Sequence, residues 1–136
     1  MGKYFSLDEL CHSDTAKAKG IDNTPSEEVK ANLEALIENV LDPLREAYGK
    51  PISVNSGYRC PALNKAVGGV SNSEHLAMNG SAAADLDTHS YYENKKLFEL
   101  AQRLKLPYRQ LIDEANMSWI HISYNPNDIK RQVLKL

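Results

Sequence analysis

The run from Ser53 to Asp87, SVNSGYRCPALNKAVGGVSNSEHLAMNGSAAADLD, limits what this chain can become more than any other part of it. It sets Arg59, His75, Asp85 and Asp87 among Gly, Ser, Asn and Ala. Small residues let a backbone turn tightly and let side chains meet at one point. Another histidine, His121, follows in Trp119-Ile120-His121-Ile122-Ser123. A histidine, an aspartate and a distant histidine form a ligand set suited to a catalytic zinc. Three protein donors leave the fourth tetrahedral position for water.

The flanking sequence reads as a scaffold. In Asn23-Thr24-Pro25-Ser26-Glu27, Thr24 fits a helix N-cap, Pro25 the first helical position and Glu27 the third. Val29, Leu33, Leu36, Ile37, Val40, Leu41, Leu44 and Tyr48 then fall on one helical face, and Gly49 and Pro51 end the helix. A short strand is expected over 51–56, a short helix over 62–67 and a strand over 82–87. Ser90 and Glu93 form a second capping box before a helix ended by Pro107. Two antiparallel strands, 108–114 and 118–124, and a final strand within 129–136 complete the order. Alternation in the second of these sends Ile120 and Ile122 to the core, and Trp119, His121 and Ser123 to the other face.

A single domain spanning residues 1–136 is expected at this length. The formal net charge of −2 argues against nucleic acid as a partner. No apolar run approaches the roughly 20 residues that cross a bilayer, so no membrane partner is expected either. The first residues, MGKYFSLDELCHSD, lack the apolar core of a signal peptide. Cys11 and Cys60 are too few for a disulfide framework and are read as reduced thiols.

Four ordered segments carry a resemblance: Ser56-Gly57-Tyr58-Arg59, Gly68 to His75, Gly80 to Asp85, and Trp119 to Ser123. Together they resemble the zinc D-alanyl-D-alanine peptidase family, in its small branch common in phages and prophages. The resemblance extends to Ser6-Leu7-Asp8-Glu9-Leu10 and Asn23-Thr24-Pro25. It implies an α+β fold with a small antiparallel sheet flanked by helices, shared with the Hedgehog signalling domain. It also implies a zinc cofactor and hydrolysis of amide bonds in peptidoglycan stem peptides, with peptidoglycan as partner; a monomer is expected. By motif position His75, Asp85 and His121 would hold the zinc, and Arg59 would bind the substrate carbonyl or carboxylate. Ser73 and Ser123 would support the site. Tyr58 and Trp119 fit either the wall of a substrate cleft or the core.

The sequence departs from the family in two places. Nine residues separate His75 from Asp85, where the family's pattern has six between them. The extra three either bulge outward or displace a ligand, and Asp87 is then the substitute. Many relatives also place an acid three residues before the last histidine, a position held here by Ser118. Glu114 is the favoured general base, with Asp113 as the other near acid. An alternative is a non-catalytic, zinc-bearing module that binds peptidoglycan or serves a phage structure.

Overall fold

The computed structural model describes residues 2–136. Two short helices, α1 (Leu7–Cys11) and α2 (Asp14–Lys19), lead into α3 (Glu27–Leu36). A π-helical turn over Ile37–Leu41 joins α3 to α4 (Asp42–Tyr48). Strand β1 (Ser53–Ser56), helix α5 (Pro61–Ala66) and a 3-10 turn over Glu74–Leu76 follow. Then come β2 (Ala82–Asp87), α6 (Tyr91–Arg103), β3 (Gln110–Glu114), β4 (Trp119–Tyr124) and β5 (Gln132–Lys135). Among the described residues no helix is long and apolar enough to cross a membrane.

The start of α3 differs from the expectation. Ser26 is the N-cap, its hydroxyl accepting the Val29 N–H, while Thr24 bonds the Asp22 carboxylate instead. Two short polar side chains compete for one helix start, and the Asp22 turn takes Thr24 out of the contest. The π turn has a cause in Pro43. A proline ring clashes with the carbonyl four residues back, and widening the turn by one residue removes the clash. The Asp42 N–H accordingly reaches back to the Ile37 carbonyl. The apolar face survives this change of pitch: Leu33, Leu36, Val40, Leu41 and Leu44 are fully buried. Each such leucine stabilises the fold by about 2 kcal/mol relative to an exposed one.

The five strands form one sheet in the order β1-β2-β4-β3-β5. The first four are mutually antiparallel where they pair, but β5 runs parallel to β3, so the sheet is mixed rather than antiparallel. The reason is a short connection. β4 ends beside the start of β3, and residues 125–131 cross that end to the far side of β3. Arg131 and Gln132 donate to the carbonyls of Tyr108 and Arg109 there. A chain entering from that end can only run in the direction of β3.

Side chains alternate across the sheet. Ala84, Leu86, Ile120, Ile122 and Leu111 are fully buried on the face covered by α3 and α6. The opposite face carries Asp85, His121, Ile112 and Glu114, since Asp85 pairs with His121 and Ile112 does so from the other side. The 3-10 turn lies against β2 on this second face and closes one side of a cleft.

Candidate metal centre

Each member of the centre is placed by its own element. His121 sits mid-strand in β4 and Asp85 is its direct partner in β2. His75 belongs to the 3-10 turn, whose start is capped by the Ser73 hydroxyl accepting the His75 N–H at 3.1 Å. The His75 carbonyl in turn accepts the Arg59 N–H at 2.8 Å. The imidazole of His75 is set by its Nδ1, 2.7 Å from the Gly57 carbonyl. That contact depends on Gly57 having no side chain, because a Cβ there would lie 2.2 Å from the Leu10 carbonyl oxygen.

The three side chains converge. His75 Nε2 lies 3.2 Å from Asp85 Oδ1, and His121 Nδ1 lies 3.1 Å from the same oxygen. The two rings meet edge to face, with centroids 5.1 Å apart. One ligating atom from each residue falls within 4.8 Å of the others. Two imidazole nitrogens and one carboxylate oxygen are donors that suit zinc, and their number matches an open catalytic site. The loop longer than the family pattern bulges outward and leaves these three side chains together. Ala77, Asn79 and Gly80 take left-handed conformations, and Asn125 braces the bulge through the Asn79 carbonyl and the Ser81 hydroxyl. Met78 is left exposed at its crest.

The charges are strongly coupled. Burial works against the charged form of His121, but hydrogen bonds to Asp85 and Glu74 push its pKa up to about 9. Burial likewise opposes the Asp85 carboxylate, and bonds from His121 and His75 overcome it to hold its pKa well below the usual range. Glu74 is also lowered: burial opposes, while His121, Ser123 and Arg109 favour its charge.

Other residues singled out from sequence are spread around this centre. Asp87 is not part of it; its carboxylate accepts from the His89 N–H and the Asn94 amide at the far end of β2. Glu114 and His121 line the same cleft of about 770 Å³, together with Glu74, Arg109, Asn125 and Asp128. Asp113 faces the opposite side of the sheet and caps the hairpin turn through the Met117 N–H at 2.7 Å. Trp119 is half-buried and directly opposite Glu114 in the ladder. Arg59 is partly buried; its Nη2 donates to the Ser73 hydroxyl, and Asp85 favours its charge against the cost of burial. Tyr58 packs in the core at 7% exposure. Its N–H bonds the Leu10 carbonyl, and its own carbonyl accepts from Asn23, which pins this segment to α1. Both cysteines are free thiols. Sequence reasoning missed Glu74 and Arg109. Glu74 lies inside a motif segment next to His75, and that adjacency was the one signal available.

Comparison with known proteins fits this geometry. No curated protein matches the chain closely enough to count as a relative. Residues 3–123 match the model of the family described as Peptidase M15, a stretch that takes in α1, the His75 turn, Asp85 and the whole of the His121 motif. This chain belongs to the Peptidase M15 family, the family of zinc D-alanyl-D-alanine peptidases.

Proposed function

We propose that the chain is a zinc peptidase that hydrolyses amide bonds in peptidoglycan stem peptides, as a D,D-carboxypeptidase or an endopeptidase of the endolysin type. One observation carries the reading: His75 Nε2, Asp85 Oδ1 and His121 Nδ1 meet beside a polar cleft. Family membership supports the peptidase part of it.

In this reading His75, Asp85 and His121 hold the zinc. When bound, zinc supplies the positive charge that acidifies water and polarises the scissile carbonyl. Glu114 takes the proton from the attacking water and returns it to the leaving amine. Its place on the His121 face favours it over Asp113, whose carboxylate is spent on the hairpin turn. Arg59 stabilises the negative charge that grows on the carbonyl oxygen, for which a permanently charged guanidinium is suited. Ser73 steadies both partners, since its hydroxyl meets the Arg59 guanidinium and the His75 N–H. Trp119 forms a wall beside Glu114.

The test is elemental analysis of protein purified without chelator, followed by assay on peptidoglycan fragments with and without chelator. About one zinc per chain and chelator-sensitive cleavage are expected, and the products identify the bond. Zinc without cleavage would replace the peptidase by a binding module. No zinc after reconstitution would overturn the metal reading.

A further inference from the structure

Glu74 stands beside the centre with no part in the chemistry above. It neighbours His75 on the 3-10 turn, yet its carboxylate reaches across to β4. His121 turns Nδ1 to Asp85, which leaves Nε2 on the far side of the ring, where it lies 3.1 Å from Glu74 Oε1. The other oxygen of Glu74 accepts from Arg109 Nη1 at 3.0 Å. Arg109 is held in turn by Asp128, its Nε donating to Oδ2 at 2.9 Å. The Glu74 and His121 side chains are 14% and 10% exposed, so water competes little for the contact.

We propose that Glu74 is a positioning residue that keeps the ring proton of His121 on Nε2, so that Nδ1 offers its lone pair to the metal, with Arg109 and Asp128 fixing the carboxylate for this task. The proposal rests on the zinc reading. A neutral imidazole carries its proton on one nitrogen, and an acceptor at that nitrogen selects the tautomer. The two histidines are set in opposite senses. The Gly57 carbonyl takes the Nδ1 proton of His75 and frees Nε2, whereas Glu74 takes the Nε2 proton of His121 and frees Nδ1. A carboxylate acceptor also makes the ring a stronger donor than a peptide carbonyl does, as outer carboxylates do for metal-bound histidines. Asp128 and Arg109 approach from the residues that lead into β5 and β3, so the orientation of His121 in β4 is tied to the adjacent strand β3 and to the edge strand beyond it.

The experiment measures zinc affinity of the full chain by competition with a chromophoric chelator at one pH, for wild type, Glu74→Ala, Glu74→Gln and Arg109→Ala. Imidazole nitrogen NMR of the zinc-loaded chain reads the Nε2 proton of His121. Glu74→Ala should weaken zinc binding about 10- to 100-fold and lose the protected Nε2 proton signal. Glu74→Gln should weaken it less, because an amide oxygen still accepts. Arg109→Ala should weaken it in wild type, and the Glu74→Ala/Arg109→Ala double variant, measured alongside, should bind no more weakly than Glu74→Ala, since the two act through one contact. Wild-type affinity in Glu74→Ala with an unchanged His121 signal would overturn the inference and leave the zinc reading standing. A wild type that takes up no zinc would overturn both. If Glu74→Ala does not fold, Glu74→Gln decides: weaker binding with unchanged circular dichroism supports the role, and wild-type binding rejects it.

Discussion

His121 Nδ1 and Asp85 Oδ1 lie 3.1 Å apart because the two residues are direct partners across the β2–β4 ladder. Sheet register therefore sets the spacing of two of the three proposed ligands. Opposed residues of an antiparallel pair bring their Cβ atoms to about 5 Å, close enough to share one ion. Only His75 arrives from outside the sheet, and the Gly57 carbonyl and Ser73 hydroxyl fix it there.

The ligand assignment separates Asp85 from Asp87. Asp85→Asn, His75→Ala and His121→Ala should each lose zinc in a chelator competition. Asp87→Asn should keep zinc and melt lower, losing about 1 kcal/mol, because its carboxylate ties His89 and Asn94 to the end of β2. Equal zinc loss in both aspartate variants would sink the assignment.

Glu114→Gln isolates the proton transfer. Its side chain lies on the His121 face but bonds none of the three proposed ligands. Zinc content should stay at the wild-type level while turnover on peptidoglycan fragments falls about 10²- to 10⁴-fold. A fully active variant would exclude Glu114 as the base.

Gly57→Ala tests the backbone that aims His75. The added methyl would meet the Leu10 carbonyl at 2.2 Å, so β1 and α1 must separate. The expected cost is about 1–3 kcal/mol in chemical denaturation, accompanied by weaker zinc binding as the Gly57 carbonyl shifts from His75. Wild-type stability and zinc affinity together would show that the close approach is unimportant.

Glu93 predicts an acid-side dependence of stability. Lys50 first, then Tyr48 and Lys96, hold its pKa down at about 2, against an ordinary value of 4.5. A folded pKa below the unfolded one means a contribution fully present above about 4.5 and lost as pH falls through about 2. Glu93→Gln should therefore melt below wild type at neutral pH, and the gap should close as melts are repeated down to pH 2. A gap that stays constant with pH would assign the loss to packing instead of charge.

Much of this molecule was legible in one dimension. The spacing of Val29, Leu33, Leu36, Val40 and Leu44 dictated a buried helical face, and every one of them is buried. Alternation around His121 put Ile120 and Ile122 in the core and His121 on the other side, since strand period fixes parity whatever the fold. Four short motifs in order identified the family, which residues 3–123 match. These features depend on local periodicity or on residue identity, and both are carried by the sequence itself.

Tertiary structure decided the rest. Thr24 fitted the N-cap of α3 by sequence, but Asp22 engages it and Ser26 caps the helix instead. The direction of β5 followed from which side of β3 the chain crossed, and its hydrophobic pattern is the same for a parallel or an antiparallel partner. The long loop after His75 is braced by Asn125, which bonds Asn79 and Ser81 from more than forty positions away in the chain. Asp85 and Asp87 share a strand face, and it is the sheet register that sets Asp85 directly opposite His121. Glu74, Arg109 and Asp128 lie far apart in sequence and join at His121 only when the sheet is assembled. Long-range register and contact geometry have no local signature, because they are set by how elements pack and not by the residues within any one of them.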